Sequence, residues 1–226
     1  MTVANIRTVA NIRLAGALKL AAGILVALAF GANAAPGAST ETLRFAIMRN
    51  GDQIGTHTVE INRGPKETSV NMSTDLAVKV MFIVAYRLQY TTTEKWVGGK
   101  LIALNAQSDD NGTKHKVSAT LKPSGLEVDA DGKTSTVDKN IIPATLWNPE
   151  VVKRSQVLDP KDGEIVPITV TDQGTEDLTI DGHSVKAHHY VLKGKFPQDV
   201  WYDEKGRLVQ SSLVAPDGSV ILYKPM

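Results

Sequence analysis

A chain of 226 residues with 25 Lys and Arg against 24 Asp and Glu carries a formal charge of +1, and it has no cysteine. Without a thiol there is no disulfide scaffold, no thiolate metal site, no cysteine nucleophile and no cysteine for lipoprotein-type lipid attachment. So even a balance, with no concentrated basic face, argues against nucleic acid as a partner.

The first segment reads as a leader. Arg7, Arg13 and Lys19 precede any acidic residue, an apolar run follows from Leu20 to Phe30, and Ala32-Asn33-Ala34 gives a small-x-small exit. Basic start, short apolar span and small-residue exit are the marks of a secretory signal peptide. The run is shorter than the roughly 20 residues a membrane-crossing helix needs. Residues 1–34 are therefore expected to be removed after about Ala34, leaving no stable membrane anchor and a protein in the periplasm. The tandem TVANIR at Thr2–Arg7 and Thr8–Arg13 points to a duplicated or misassigned start. Residues 35–40 read as a flexible leader and 41–226 as a single domain.

From Glu41 onward apolar and polar residues alternate between turn words such as Asn50-Gly51, Asn111-Gly112, Asp131-Gly132, Asp181-Gly182 and Asp217-Gly218. Asn-Gly and Asp-Gly take the positive φ of tight hairpins cheaply, and strands joined by so short a turn must be antiparallel. The pattern predicts ten to twelve strands in a meander. In the stretch from Met72 to Tyr90, one face would hold Met72, Thr74, Leu76, Val78, Val80, Phe82, Val84, Tyr86, Leu88 and Tyr90. A strand of that length exceeds the usual 3–10 residues or so, which predicts a bend, bulge or tight turn near Met81–Val84. Its apolar middle is expected to be buried, the alternative being an exposed tip.

The segment IIPATLWNPEVVKRS interrupts the alternation and predicts a short helical piece near 143–154, anchored by Trp147. A faint echo links Trp96 and Trp201: each is followed by a glycine turn, a basic residue and an alternating strand. One hairpin design used twice accounts for it.

Two clusters invite a metal. His183, His188 and His189 crowd one stretch, but neighbours in a strand point to opposite faces, and His183 would lie about 20 Å from His189 at roughly 3.3 Å per residue. Strand histidines are expected there. Glu127–Asp138 mimics a calcium loop, yet its flanks alternate as strands and Asp138 stands where a bidentate Glu belongs, so a hairpin turn is expected. No nucleophile elbow, Ser-x-x-Lys, His-Glu-x-x-His, phosphate loop or dinucleotide fingerprint occurs. No catalytic residue, metal site or cofactor is therefore assigned.

EKWVGGKLIALNAQSDDNG, IPATLWNP, AHHYVLKG, VWYDEKGRLV and DGSVILY, in that order, resemble a family of exported bacterial proteins known as a domain of unknown function. That family is distantly similar to periplasmic lipoprotein-localisation carriers. The resemblance implies a curved antiparallel sheet or incomplete barrel that can hold acyl chains.

These readings give a mainly β protein: one curved antiparallel meander or partly open barrel with a short helical segment. Its concave side is expected to carry Val78, Val80, Phe82, Tyr86, Leu88, Trp96, Trp147 and Trp201 as ligand-binding residues. The leading expectation is a non-enzymatic binding or carrier module for an apolar or amphipathic small molecule. One alternative is an envelope assembly protein contacting a protein partner through sheet edges and Met81–Val84. A hydrolase whose site is invisible in sequence is the other.

Overall fold

The computed structural model describes residues 38–195 and 197–226; the expected signal peptide and its cleavage point lie outside them. Among the described residues fourteen strands form one antiparallel sheet. They are β1 (Ser39–Arg49), β2 (Asp52–Arg63), β3 (Thr68–Val80), β4 (Ile83–Val97), β5 (Lys100–Asp110), β6 (Thr113–Lys122) and β7 (Gly125–Ala130), then β8 (Lys133–Val137), β9 (Gln156–Leu158), β10 (Ile165–Ile180), β11 (His183–Gly194), β12 (Gln198–Asp203), β13 (Leu208–Val214) and β14 (Val220–Pro225). Sequence neighbours pair throughout except β8 with β9, and β1 closes onto β14. The barrel-like sheet thus stays open at one seam. Short strands such as β8 and β9 raise the number above the ten to twelve expected. Ser39 and Thr40, expected in the flexible leader, already belong to β1, where the Thr40 hydroxyl donates to Asn62 Oδ1 at 2.7 Å.

Alternation fixes two ends. The turns at Asn50-Gly51, Met81-Phe82 and Asn111-Gly112 share what is here called the upper end; Gly98-Gly99 and the segment 138–155 lie at the lower end. That segment holds a 3-10 helix, Pro149–Lys153, inside the span expected to be helical. Asn148 caps it by accepting from the Glu150 N–H, and Pro149 needs no partner in the first turn. Residues 142–144 run beside β9, with Pro143 bridged to Leu158, and so cover an edge left bare by the seam.

Inward residues fill the concave side. Phe45, Val59, Ile61, Leu104, Leu126 and Val128 are fully buried in a cluster that also takes in Ile141, Ile142 and Val151 from the lower segment. A smaller cluster of Ile47, Leu76 and Ile221, flanked by Tyr86 and Leu88, continues it toward the upper end. At about 25 cal/mol per Å² of apolar surface, these clusters are the main favourable contribution to folding.

Candidate functional site

The longest surprise lies between β3 and β4. A tight turn at Met81-Phe82 joins them, Met81 taking φ 54°, and a register shift falls at Val78/Lys79. The turn falls where strand length required one. Burial of the apolar middle, however, is overturned. Met81 is 88% exposed, Ile83 73%, Val80 and Val84 about half, and Phe82 wholly so. The reason is in the register. β2 accompanies β3 only as far as Leu76, and β5 accompanies β4 only as far as Leu88. Beyond that pair the hairpin is a two-stranded ribbon with no flanking strand among the described residues, reaching about 15 Å past β2 and β5 at roughly 3.3 Å per residue. Alternation continues along the ribbon, but among the described residues no layer lies opposite to cover it.

The lower end shows the reverse anomaly. Tyr90, Thr92, Glu94 and Trp96 share the inward face of β4, and Glu94 is fully buried. Its Oε2 accepts from the indole N–H of Trp96 and of Trp147, each at 2.8 Å, while the two indoles meet edge to face at 5.6 Å. Burial pushes the Glu94 carboxyl up to about 7, against the pull of Trp147, the Thr145 hydroxyl and Trp96. The Thr145 hydroxyl faces the Glu94 carboxyl and Thr92 faces the Tyr90 hydroxyl, so that four buried polar atoms, Glu94 Oε1 among them, gather here with no well-formed hydrogen bond among the described residues. This polar knot ties the 138–155 segment to the sheet, reinforced by the Tyr202 hydroxyl donating to the Leu146 carbonyl at 2.8 Å. Two crevices flank the Gly98-Gly99 turn beside it. One, about 300 Å³, touches Arg63, Lys66, Trp96, Trp147 and Asn148; the other, about 320 Å³, touches Lys100, Lys139, Asn140 and Arg154.

The eight residues expected to share a concave face occupy three places. Val80 and Phe82 stand on the exposed ribbon, with Val78 half-buried at its base, and Tyr86 and Leu88 pack on the smaller cluster. Trp96 and Trp147 meet at the lower end. Trp201 is on the other side of the sheet: its neighbours Val200 and Tyr202 enter the main cluster, while Trp201 stacks on His189 at 4.3 Å and donates to Glu176. The concave placement of Trp201 is thus corrected by strand alternation.

His188 and His189 point to opposite faces. His188 Nε2 lies 2.6 Å from Asp172 and the ring stacks on Tyr190, whereas His189 Nε2 lies 2.7 Å from Asp199. The Thr175 hydroxyl sits 3.4 Å from His188 Nδ1, giving a Thr-His-Asp chain on an exposed strand. None of the three lines either crevice beside the Gly98-Gly99 turn, and the His188 and Asp172 side chains are 37% and 60% exposed. The Glu127–Asp138 stretch forms the β7–β8 hairpin. There Asp129 accepts from the Gly132 N–H and Asp131 from the Lys116 N–H, with His115 at 2.6 Å. Sequence reading passed over Glu94. The available signal was its parity with Tyr90 and Trp96 on a strand whose other face is exposed.

Over residues 45–226 the chain matches the family described as a domain of unknown function (DUF6134), and it belongs to that family. Among solved structures it is similar to a β-barrel-like protein of domain of unknown function DUF1849 from Brucella abortus. The TM-score is 0.62 at 10% identity, over 82% of this chain and 94% of that one. At that identity the likeness concerns the fold. No curated protein matches the chain.

Proposed function

We propose that this DUF6134 protein is a non-enzymatic binding module of the periplasm that engages an apolar or amphipathic partner through the β3–β4 ribbon. One observation carries the reading: five consecutive large apolar residues, Val80–Val84, stand in solvent on a ribbon whose backbone is already paired. Such a patch is costly to leave wet and marks a contact surface. The concave side is occupied by its own side chains, which favours capture at the ribbon over carriage inside the sheet. Export is supported by the basic, apolar and small-residue order of residues 1–34.

A second reading, an envelope assembly protein, draws on the same ribbon. Sheet edges give it less support, since β9 is covered by residues 142–144 and β8 is a five-residue strand beginning with Lys133. Native mass spectrometry of protein taken from its own periplasm separates the two. A bound amphiphile that disappears in Ile83→Glu supports the module; a bound polypeptide lost in the same variant supports assembly. Protein that carries neither, with Ile83→Glu behaving as wild type, removes both.

A further inference from the structure

We propose that the crevice beside the Gly98-Gly99 turn is a binding site for a phosphate-type oxyanion. Lys100, Lys139 and Arg154 line it together with Asn140, and no Asp or Glu does. Lys100 and Lys139 are exposed and make no ion pair or side-chain hydrogen bond among the described residues. Arg154 has a buried Nε without a partner, and its guanidinium reaches Glu150 only at 4.0 Å. Glu150 is engaged more closely by Lys153 at 2.7 Å. The other nearby acid, Asp138, is turned back on its own loop, accepting from the Asn140 N–H at 2.6 Å.

Three cations lining one hollow repel each other, and Glu150, 4.0 Å from Arg154, offsets only part of that charge. An anion that all three reach removes the repulsion, and a guanidinium adds a forked donor suited to tetrahedral oxyanions. The turn helps. Gly98 and Gly99 take φ 56° and 75°, and nothing lies within 4 Å of where a side chain would stand. A ligand can therefore approach the backbone itself. A volume of about 320 Å³ admits a phosphate ester rather than a whole lipid. The group could arrive as a free phosphate or as the headgroup of an anionic lipid; the chemistry at the crevice is the same.

The site is separate from the ribbon and is tested separately. Inorganic phosphate is titrated into the isotope-labelled protein at constant ionic strength, and the amide resonances of Gly98, Gly99 and Lys100 are followed. Saturable shifts are expected, weakened about tenfold or more in the double variant Lys100→Glu/Lys139→Glu and unaffected by Ile83→Glu. Lys100→Gln/Lys139→Gln serves if the charge reversal disturbs folding, as judged by the dispersion of the spectrum. Sedimentation with phosphatidylglycerol vesicles, lost in the double variant, identifies a lipid headgroup as the source. Persistence of the phosphate shifts without sedimentation identifies a soluble one. Absence of saturation at these amides, or shifts equal in wild type and the double variant, overturns the site.

Discussion

Two ribbons leave the same sheet, and they are built from opposite materials. β3–β4 runs free beyond Leu76 and Leu88; β10–β11 runs free beyond Ala187, the last residue of β11 that β12 accompanies. The second ribbon turns at Asp181-Gly182 and offers Asp177, Ser184 and Lys186 to water, with Lys186 Nζ 3.3 Å from Asp177. The first turns at Met81-Phe82 and offers Val80, Phe82, Ile83 and Val84. An unflanked ribbon in this fold is therefore stable with an ordinary polar tip. The apolar composition of the other answers no folding requirement, which is why it is read as a contact surface.

If the body carries stability and the tip carries binding, as proposed, mutations should rank accordingly. The largest expected loss is in the body. Trp96→Ala removes a buried ring and one of the two donors to Glu94, and should cost about 3–5 kcal/mol in urea unfolding. A loss under 1 kcal/mol would show that the lower end is not where the sheet is held.

Next comes the buried carboxyl. Because folding raises Glu94 from its ordinary 4.5 to about 7, the folded chain holds a proton there that the unfolded chain has released. Stability from this group is present below about pH 4.5 and lost as pH rises to 7, about 3 kcal/mol in all. Glu94→Gln, which keeps an acceptor for both indoles, should abolish that loss.

His57 acts with the opposite sign. Desolvation, with the Ser73 backbone partly opposing it, lowers the ring from 6.5 to about 4. The ring lies between Phe45 and Tyr223, with Nδ1 2.8 Å from Thr74. Folding then disfavours its protonation, so stability is full above pH 6.5 and falls as pH drops toward 4. The two slopes oppose each other in wild type. Glu94→Gln should uncover a decline on acidification, and His57→Asn a decline on alkalinisation, both read from urea midpoints across pH 4–8.

The smallest stability effect belongs to the tip. Ile83→Glu, and Phe82→Glu alike, should shift the unfolding free energy by no more than about 0.5 kcal/mol, since Phe82 is wholly exposed and Ile83 73% exposed. A loss comparable to that of Trp96→Ala would mean the ribbon is folded against the body, and the comparison between the two ribbons would fail.

Much of the fold was legible in the sequence because two-residue periodicity and Asn-Gly or Asp-Gly turns are local signals. The Met81-Phe82 turn was legible in position, from strand length, though not in exposure. Whether Val80 and Val84 are covered depends on where β2 and β5 stop, and no property of residues 80–84 reports that. Trp201 illustrates the same limit. A large aromatic suggests the core, yet His189 across the strand gave it a burial site on the outer face. The Glu94 knot was missed because a carboxylate between Thr93 and Lys95 reads as a surface residue until both indoles are seen to converge on it.

Phe82→Trp places a fluorescent reporter at the apex of the apolar ribbon. Against the three native tryptophans, its added emission should be that of an indole in water for the free protein and should shift to the blue, saturably, with monomeric lysophospholipid. A blue-shifted signal in the free protein would contradict the exposed tip, and a signal indifferent to the amphiphile would contradict its use as the binding surface.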